Sequence, residues 1–238
     1  MSVNGPYLLD EPGQGAVVLR CPELDLPGVR HGFATRLGGV SGGTRASLNF
    51  GVKGDDPRDN VLENQRRLCA RLGLDPARLH RQTQVHGRAV QVIAAGDDPA
   101  ATWRGESDAL VTETPDLTLG VVTADCVPLL MASRHPERRG VAAVHAGWRG
   151  IVGGVIQAAL EQLTAHLGCD TDDLVAATGP CIGPCCYEVG PEVARQFGVI
   201  PGAVVPRPGG ARPHLDLPAA VAQVLSDHGI KPSHAGLC

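Results

Sequence analysis

The sequence predicts an α+β fold, a single domain over residues 1–238 with mixed β-sheets. Three observations lead there. No repeat, low-complexity tract or linker divides the 238 residues, and a chain of this length buries roughly 70–75% of its unfolded surface. Strand-like and helical segments mix without a regular βαβ rhythm. Hydrophobic residues at 43% and charged residues at 19% are ordinary globular values, which exclude a disordered or fibrous chain. Aromatics contribute only 3%, so the core must come from Ala, Val and Leu.

Taken in order, residues 15–21 (GAVVLRC) are apolar and β-branched, a strand. Residues 31–51 are rich in glycine, serine and threonine, with two arginines and little to bury. They read as a loop, either a plain surface one or one whose backbone N–H groups and arginines meet an anion. A helix follows within 55–73: Asp56-Pro57 marks a turn, Asp59 or Asn60 can cap, and Val61, Leu62, Leu68, Cys69 and Leu72 form the apolar stripe that Gly73 ends. Residues 84–95, 108–112, 118–122 and 127–132 read as strands, Pro128 suggesting an edge or a bulge in the last. Another strand spans 140–145. Residues 151–167 read as one helix, with apolar residues spaced three or four apart and Gly168 as terminator. A short strand at 174–177, a Gly/Pro/Cys-rich loop at 178–190 and two helices opening with proline, 191–197 and 218–228, complete the chain.

The 21 basic and 25 acidic residues give a net charge of −4 with no basic block, against a dedicated nucleic-acid binder. Only Lys53 and Lys231 are lysines, which leaves anion recognition to arginine. Residues 1–14 carry no secretory signal, and no apolar run of about 18 residues is present to span a bilayer. Eight cysteines in such a chain are expected to be reduced and to serve burial, metal ligation or catalysis. A soluble cytoplasmic protein is expected.

Three segments share one plan, an apolar strand ending in a polar or Gly-rich loop that bears a metal-ligand residue. They are QVHG with His86, TADCVP with Cys126 and VHAGWRG with His145. Brought together, one thiolate and two imidazoles would leave a fourth tetrahedral position open, the pattern of a catalytic zinc; the same donors suit copper. The intervals of 40 and 19 residues match no zinc-finger spacing, and taken singly each residue is more often structural. At 145–151, Gly147 and Gly150 permit close backbone approach. A helix start with Arg149 beside it makes an anion site, unless Arg149 merely pairs on the surface. Cys181, Cys185 and Cys186 invite a second metal reading, but no CxxC occurs and Pro180 and Pro184 constrain that loop.

The ordered series HGFATRLGGVSGG, SLNFG, ENQRRL, QVHG, SDALVT, TADCVPLL, AAVHAGWRG and GPCIGPCCYEVG closely resembles the laccase-domain family, also called multicopper polyphenol oxidase or peptidoglycan-editing factor, a resemblance that runs over residues 31–237. The resemblance implies a monomeric, four-layer α/β/β/α fold and a zinc-containing purine nucleoside phosphorylase acting on adenosine, inosine, guanosine and methylthioadenosine with inorganic phosphate. It also implies adenosine deaminase activity. Its metal ligands fall on His86, Cys126 and His145; Asp125 is a candidate proton shuttle, and Arg36, Asn49 and Arg149 are candidates for binding phosphate and substrate. Family members usually continue past the position of Cys238 with a further strand, so an end there would leave a strand edge unpaired.

Two other classes stay open. A copper-dependent phenol oxidase would need on the order of ten histidines, largely in His-x-His pairs; nine histidines are present, none so paired. A cysteine hydrolase or amidase of the cell-wall-editing type would use Cys126 as nucleophile and His145 or His86 as base, the same residues as the metal site.

Overall fold

The computed structural model describes residues 7–9, 15–52 and 54–238; Lys53 and most of the stretch 1–14 read for a leader lie outside them. In chain order the strands are β1 (Leu8–Leu9), β2 (Val18–Arg20), β3 (Phe33–Ala34), β4 (Leu79–His80), β5 (Val90–Val92), β6 (Ala109–Thr112) and β7 (Thr118–Leu119). After them come β8 (Val127–Ser133), β9 (Val141–Ala146), β10 (Leu174–Thr178), β11 (Val204–Val205), β12 (His214–Leu215) and β13 (Ser233–His234). The helices are α1 (Arg58–Leu72), α2 (Pro99–Arg104), α3 (Trp148–Gly153), α4 (Val155–Leu167), α5 (Pro191–Gln196) and α6 (Leu217–Ser226).

The most continuously apolar runs, β8 and β9, pair antiparallel at the centre of a six-stranded mixed sheet ordered β13-β10-β8-β9-β6-β5. Side chains alternate across β8. Val127, Leu129 and Met131 face one core with Val155, Ile156, Ala159, Leu160 and Leu163 of α4 and the apolar face of α6. Leu130 and Ala132 face the other core, with Leu19 and Phe33 of the three-stranded sheet β1-β2-β3 and with Tyr7 and Leu24 beside it. Outside that sheet lies α1, whose Leu72 meets Val18 around Gly32. Helices, large sheet, small sheet and helix make the four layers that the family resemblance implied, and the sheets are mixed as expected.

Several elements differ from the sequence reading. Pro128 is in the sheet interior, at the end of the β8–β10 ladder, where its carbonyl accepts Gly179 N–H at 3.0 Å and no donor is required of it. The helix expected over 151–167 is two, because Gly154 takes φ +87°, a left-handed turn that glycine adopts readily, between α3 and α4. Neither Asp59 nor Asn60 caps α1: Asp59 lies inside the first turn, Pro57 holds the cap position, and Asn60 donates its amide to Asp56 Oδ1 at 3.0 Å. Leu62 faces solvent rather than the stripe. Only Val90–Val92 of the expected 84–95 strand is extended, since Asp108 draws 85–87 into a turn. At one end of the six-stranded sheet β13 pairs parallel to Ala177 and Thr178 of β10 and is itself the edge strand. Among the described residues no helix is long and apolar enough to cross a membrane.

Candidate metal centre

The site forms where β9, the start of β8 and the turn before β5 meet. His145 lies near the end of β9, opposite Pro128, and is 3% exposed. Its N–H donates to the Asp108 carbonyl at 2.7 Å, and Asp108 N–H donates to Ala89 O at 3.0 Å. The fully buried Asp108 carboxylate accepts three successive backbone donors, Val85 at 3.3 Å, His86 at 2.9 Å and Gly87 at 2.6 Å. That nest around an anion accounts for the unusual φ of +60° at His86. Gln84 clamps the turn to the strand approaching Cys126: its amide donates to Val122 O at 2.7 Å and accepts from Val122 N at 2.8 Å. The three segments are therefore fixed to one another by named polar contacts.

His86, Cys126 and His145 come together, with ligand atoms all within 4.8 Å of one another. The two imidazoles sit edge to face, centroids 4.8 Å apart. Tetrahedral geometry with bonds of about 2.1–2.3 Å needs ligand–ligand spacings of about 3.4–3.8 Å, so closing on a cation takes a contraction of about 1.4 Å at most. Gly147 keeps the space clear: a Cβ there would lie 2.9 Å from His86 Cδ2 and 3.0 Å from Cys126 Sγ. His145 Nδ1 is engaged by Asp108 Oδ1 at 2.7 Å, which fixes the ring and leaves Nε2 for a metal. Burial opposes charge on His145, but its hydrogen bonds to Asp108 and Cys126 outweigh that and lift the imidazole to about 9. Burial likewise opposes charge on Asp108, yet the bonds from His145, Gly87 and His86 hold its carboxyl below the ordinary range. Soft and borderline donors, an open fourth position and an oriented histidine fit a bound cation.

The other sequence candidates lie differently. Asp125 is exposed beside Cys126, and its carbonyl accepts Ile182 N–H at 2.9 Å. Arg149 is the second residue of the six-residue α3, its guanidinium 4.4 Å from the centroid of the Trp148 ring. The helix start is thus at Trp148 rather than near Ile151, and it belongs to a short helix. Arg36 donates from Nε to Ala46 O at 3.0 Å and again from Nη2, clasping the Gly-rich loop. Asn49 turns its amide into that loop, donating to Asp56 Oδ2 at 2.7 Å and accepting from Gly51 N at 3.0 Å. Cys181 is buried in the helix-side core, where burial pushes its thiol up to about 12.

Sequence reasoning missed Asp108 and Tyr187. The signal for Asp108 was a charged residue heading the otherwise uncharged strand Ala109–Thr112. Tyr187 lies within electrostatic reach of Cys126, Asp125 and Arg149; burial first, then the two acidic neighbours, raise its phenol, which stays a hydrogen-bond donor at neutral pH.

A sequence model of the family described as multi-copper polyphenol oxidoreductase laccase matches residues 30–238. A Deinococcus radiodurans protein named purine nucleoside phosphorylase is 44% identical over 218 residues, 91% of this chain and 80% of that protein. A Streptomyces coelicolor protein of the same name is 40% identical over 206 residues, covering 85% and 82% of the two chains. Among solved structures, YlmD from Geobacillus stearothermophilus superposes with a TM-score of 0.80 at 31% identity, covering 97% of this chain and 90% of that one. The Bacillus licheniformis hypothetical protein YfiH superposes with a TM-score of 0.83 at 26% identity, covering 98% and 89%. With its central sheet, Gly-rich loop and Cys/His/His centre all inside the matched segment, the chain belongs to the multi-copper polyphenol oxidoreductase laccase family.

Proposed function

We propose that this protein is a zinc-dependent purine nucleoside phosphorylase that takes adenosine, inosine, guanosine or methylthioadenosine together with inorganic phosphate, and that deaminates adenosine at the same centre. It acts as a cytoplasmic monomer, one domain over 1–238. The observation that carries this reading is the convergence of His86, Cys126 and His145 around the space Gly147 leaves, with Asp108 orienting His145. The names of the Deinococcus and Streptomyces relatives support the activity.

Bound by these three residues, zinc would supply Lewis acidity and draw the pKa of a water from about 16 toward ~7. The chain's own groups do the rest. In phosphorolysis a phosphate oxygen forms a bond to the anomeric carbon as the glycosidic C–N bond breaks, and the purine leaves with that electron pair and takes up a proton. Arg149 and Arg36 neutralise and orient the phosphate, while Asn49 keeps the glycine-rich loop in the shape that presents Arg36. Tyr187, held protonated, would offer its phenol as a hydrogen-bond donor to substrate at the edge of the site. In deamination an oxygen from water bonds to C6 and ammonia departs, with the exposed Asp125 carrying the proton from the attacking water to the leaving nitrogen.

The test is phosphate-dependent release of hypoxanthine from inosine, and phosphate-independent release of inosine and ammonia from adenosine, by the purified protein. Both reactions fall to background in Cys126→Ala with the fold intact by circular dichroism; either one at near wild-type rate contradicts the proposal.

One observation favours a second reading. Cys126, His145 and Asp108 are linked by hydrogen bonds in the order nucleophile, base and orienting carboxylate of a cysteine hydrolase. Activity abolished by thiol alkylation of metal-free protein, and unaffected by chelation, selects the hydrolase; loss on chelation with restoration by zinc selects the metal enzyme.

A further inference from the structure

A second group of soft donors lies outside the centre described above. All eight cysteines are free. The three exposed ones, Cys185, Cys186 and Cys238, place their sulfurs within 4.8 Å of one another. The backbone builds this arrangement. Gly183 O accepts from Cys186 N and Tyr187 N, both at 3.1 Å, closing a turn that carries the adjacent cysteines. Cys181 N–H donates to Leu237 O at 3.2 Å and lays the segment bearing Cys238 alongside. Gly183 N–H then points at Cys238 Sγ, 3.2 Å away, and the Cys185 and Cys186 sulfurs stand 3.4 Å apart.

We propose that Cys185, Cys186 and Cys238 form an all-sulfur site for a soft cation of the Cu(I) class, separate from the His86, Cys126 and His145 centre. The donor set decides the class: thiolates without imidazole or carboxylate select soft metals, and three sulfurs complete a low-coordinate shell where zinc would call for a fourth ligand. Binding exchanges protons for the cation, each thiol releasing its proton to solvent as the sulfur–metal bond forms, with no electron transferred. The Gly183 N–H favours the thiolate form of Cys238. A cavity of about 290 Å³, lined in part by Cys181, Cys185, Asp216, His234 and Cys238, opens beside the sulfurs. The bond from Ile182 N to Asp125 O ties this loop to the residue before Cys126, so the two centres are neighbours with separate ligands.

The experiment titrates the reduced full chain with Cu(I) under anaerobic conditions against a chromophoric Cu(I) chelator, with the coordination shell read by copper-edge X-ray absorption. In Cys126→Ala, which removes the only thiolate of the other centre, one Cu(I) equivalent with an all-sulfur shell is expected to remain. Adding Cys185→Ser and Cys238→Ser to that background removes it. An unchanged stoichiometry in the triple variant, or a shell containing imidazole in Cys126→Ala, overturns the proposal. Should the triple variant not fold, Cys186→Ser with Cys126→Ala decides instead: Cu(I) binding at least tenfold weaker supports the site, and unchanged affinity refutes it.

Discussion

Asp108→Asn separates the carboxylate that organises the centre from the ligands themselves. In the native protein Oδ1 accepts His145 Nδ1 at 2.7 Å and His86 N at 2.9 Å, while Oδ2 accepts Gly87 N at 2.6 Å and Val85 N at 3.3 Å. An asparagine of the same shape has one oxygen, so its NH2 must face one of these pairs of donors. The cheaper orientation keeps His145 and His86 and leaves Gly87 N–H, with the weaker Val85 contact, unpaired beside a group that is fully buried. Leaving such donors unsatisfied and losing the charge that strengthened the remaining bonds costs about 2–4 kcal/mol. The imidazole of His145 is then held less firmly, and metal affinity falls by about 10–100-fold. Urea denaturation of the metal-free protein gives the first quantity, and competition for zinc against a chelator gives the second. Metal-free stability within about 0.5 kcal/mol of wild type, together with a zinc affinity within twofold, would refute the role assigned to Asp108.

Gly147→Ala places a methyl group 2.9 Å from His86 Cδ2 and 3.0 Å from Cys126 Sγ, and is expected to weaken zinc binding at least tenfold while the far-ultraviolet spectrum is unchanged. Asn64→Leu leaves Val40 N–H and Asn49 O without the partners they have at 2.8 Å inside the fold. Loss of about 2–4 kcal/mol is expected, with faster hydrogen exchange confined to the Gly-rich loop. Acid should destabilise the protein through His31, His80 and His234, whose pKa values burial lowers. Each is neutral in the fold, so its contribution is complete above about 6.5 and drains as pH falls below that value, where the unfolded chain takes protons first. In metal-free protein His145 acts in the opposite sense: raised to about 9, its contribution is complete below about 6.5 and is lost as pH rises through 9. Urea midpoints measured from pH 5 to pH 10 test both flanks, and His31→Gln flattens the acid one.

What was legible in the sequence was mostly what strong patterns encode. The long apolar runs of β8, β9 and β10, the α1 stripe with its Gly73 stop, and the break at Gly168 all left clear periodic or terminating signals. Strands of two residues, such as β4, β11 and β13, carry no period at all; pairing with neighbours defines them. The break at Gly154 was hidden because apolar residues continue at helical spacing on both sides of it, and only the backbone angle reveals two helices. The three candidate ligands share a place at the ends of apolar strands, a weak signal taken singly, and the resemblance of the ordered motifs joined them into one set. Asp108 and Gln84, the residues that fix where those ligands stand, lie inside the segments SDALVT and QVHG, but they act through contacts distant in sequence that those segments do not reveal. Asn49 is a substrate-binding candidate through the SLN motif of the resemblance, and only the folded chain shows its side chain bonded within its own loop. Cys238 was not grouped with Cys185 and Cys186, because more than fifty residues separate them and only the folded chain joins them.

The most direct measurement is anomalous diffraction at the zinc edge from crystals of the protein purified without added metal. A single strong peak within bonding distance, about 2.0–2.3 Å, of His86, Cys126 and His145 Nε2 is expected. Crystals that hold zinc elsewhere with those three side chains turned apart, or that show no peak among them after zinc soaking, would contradict the account.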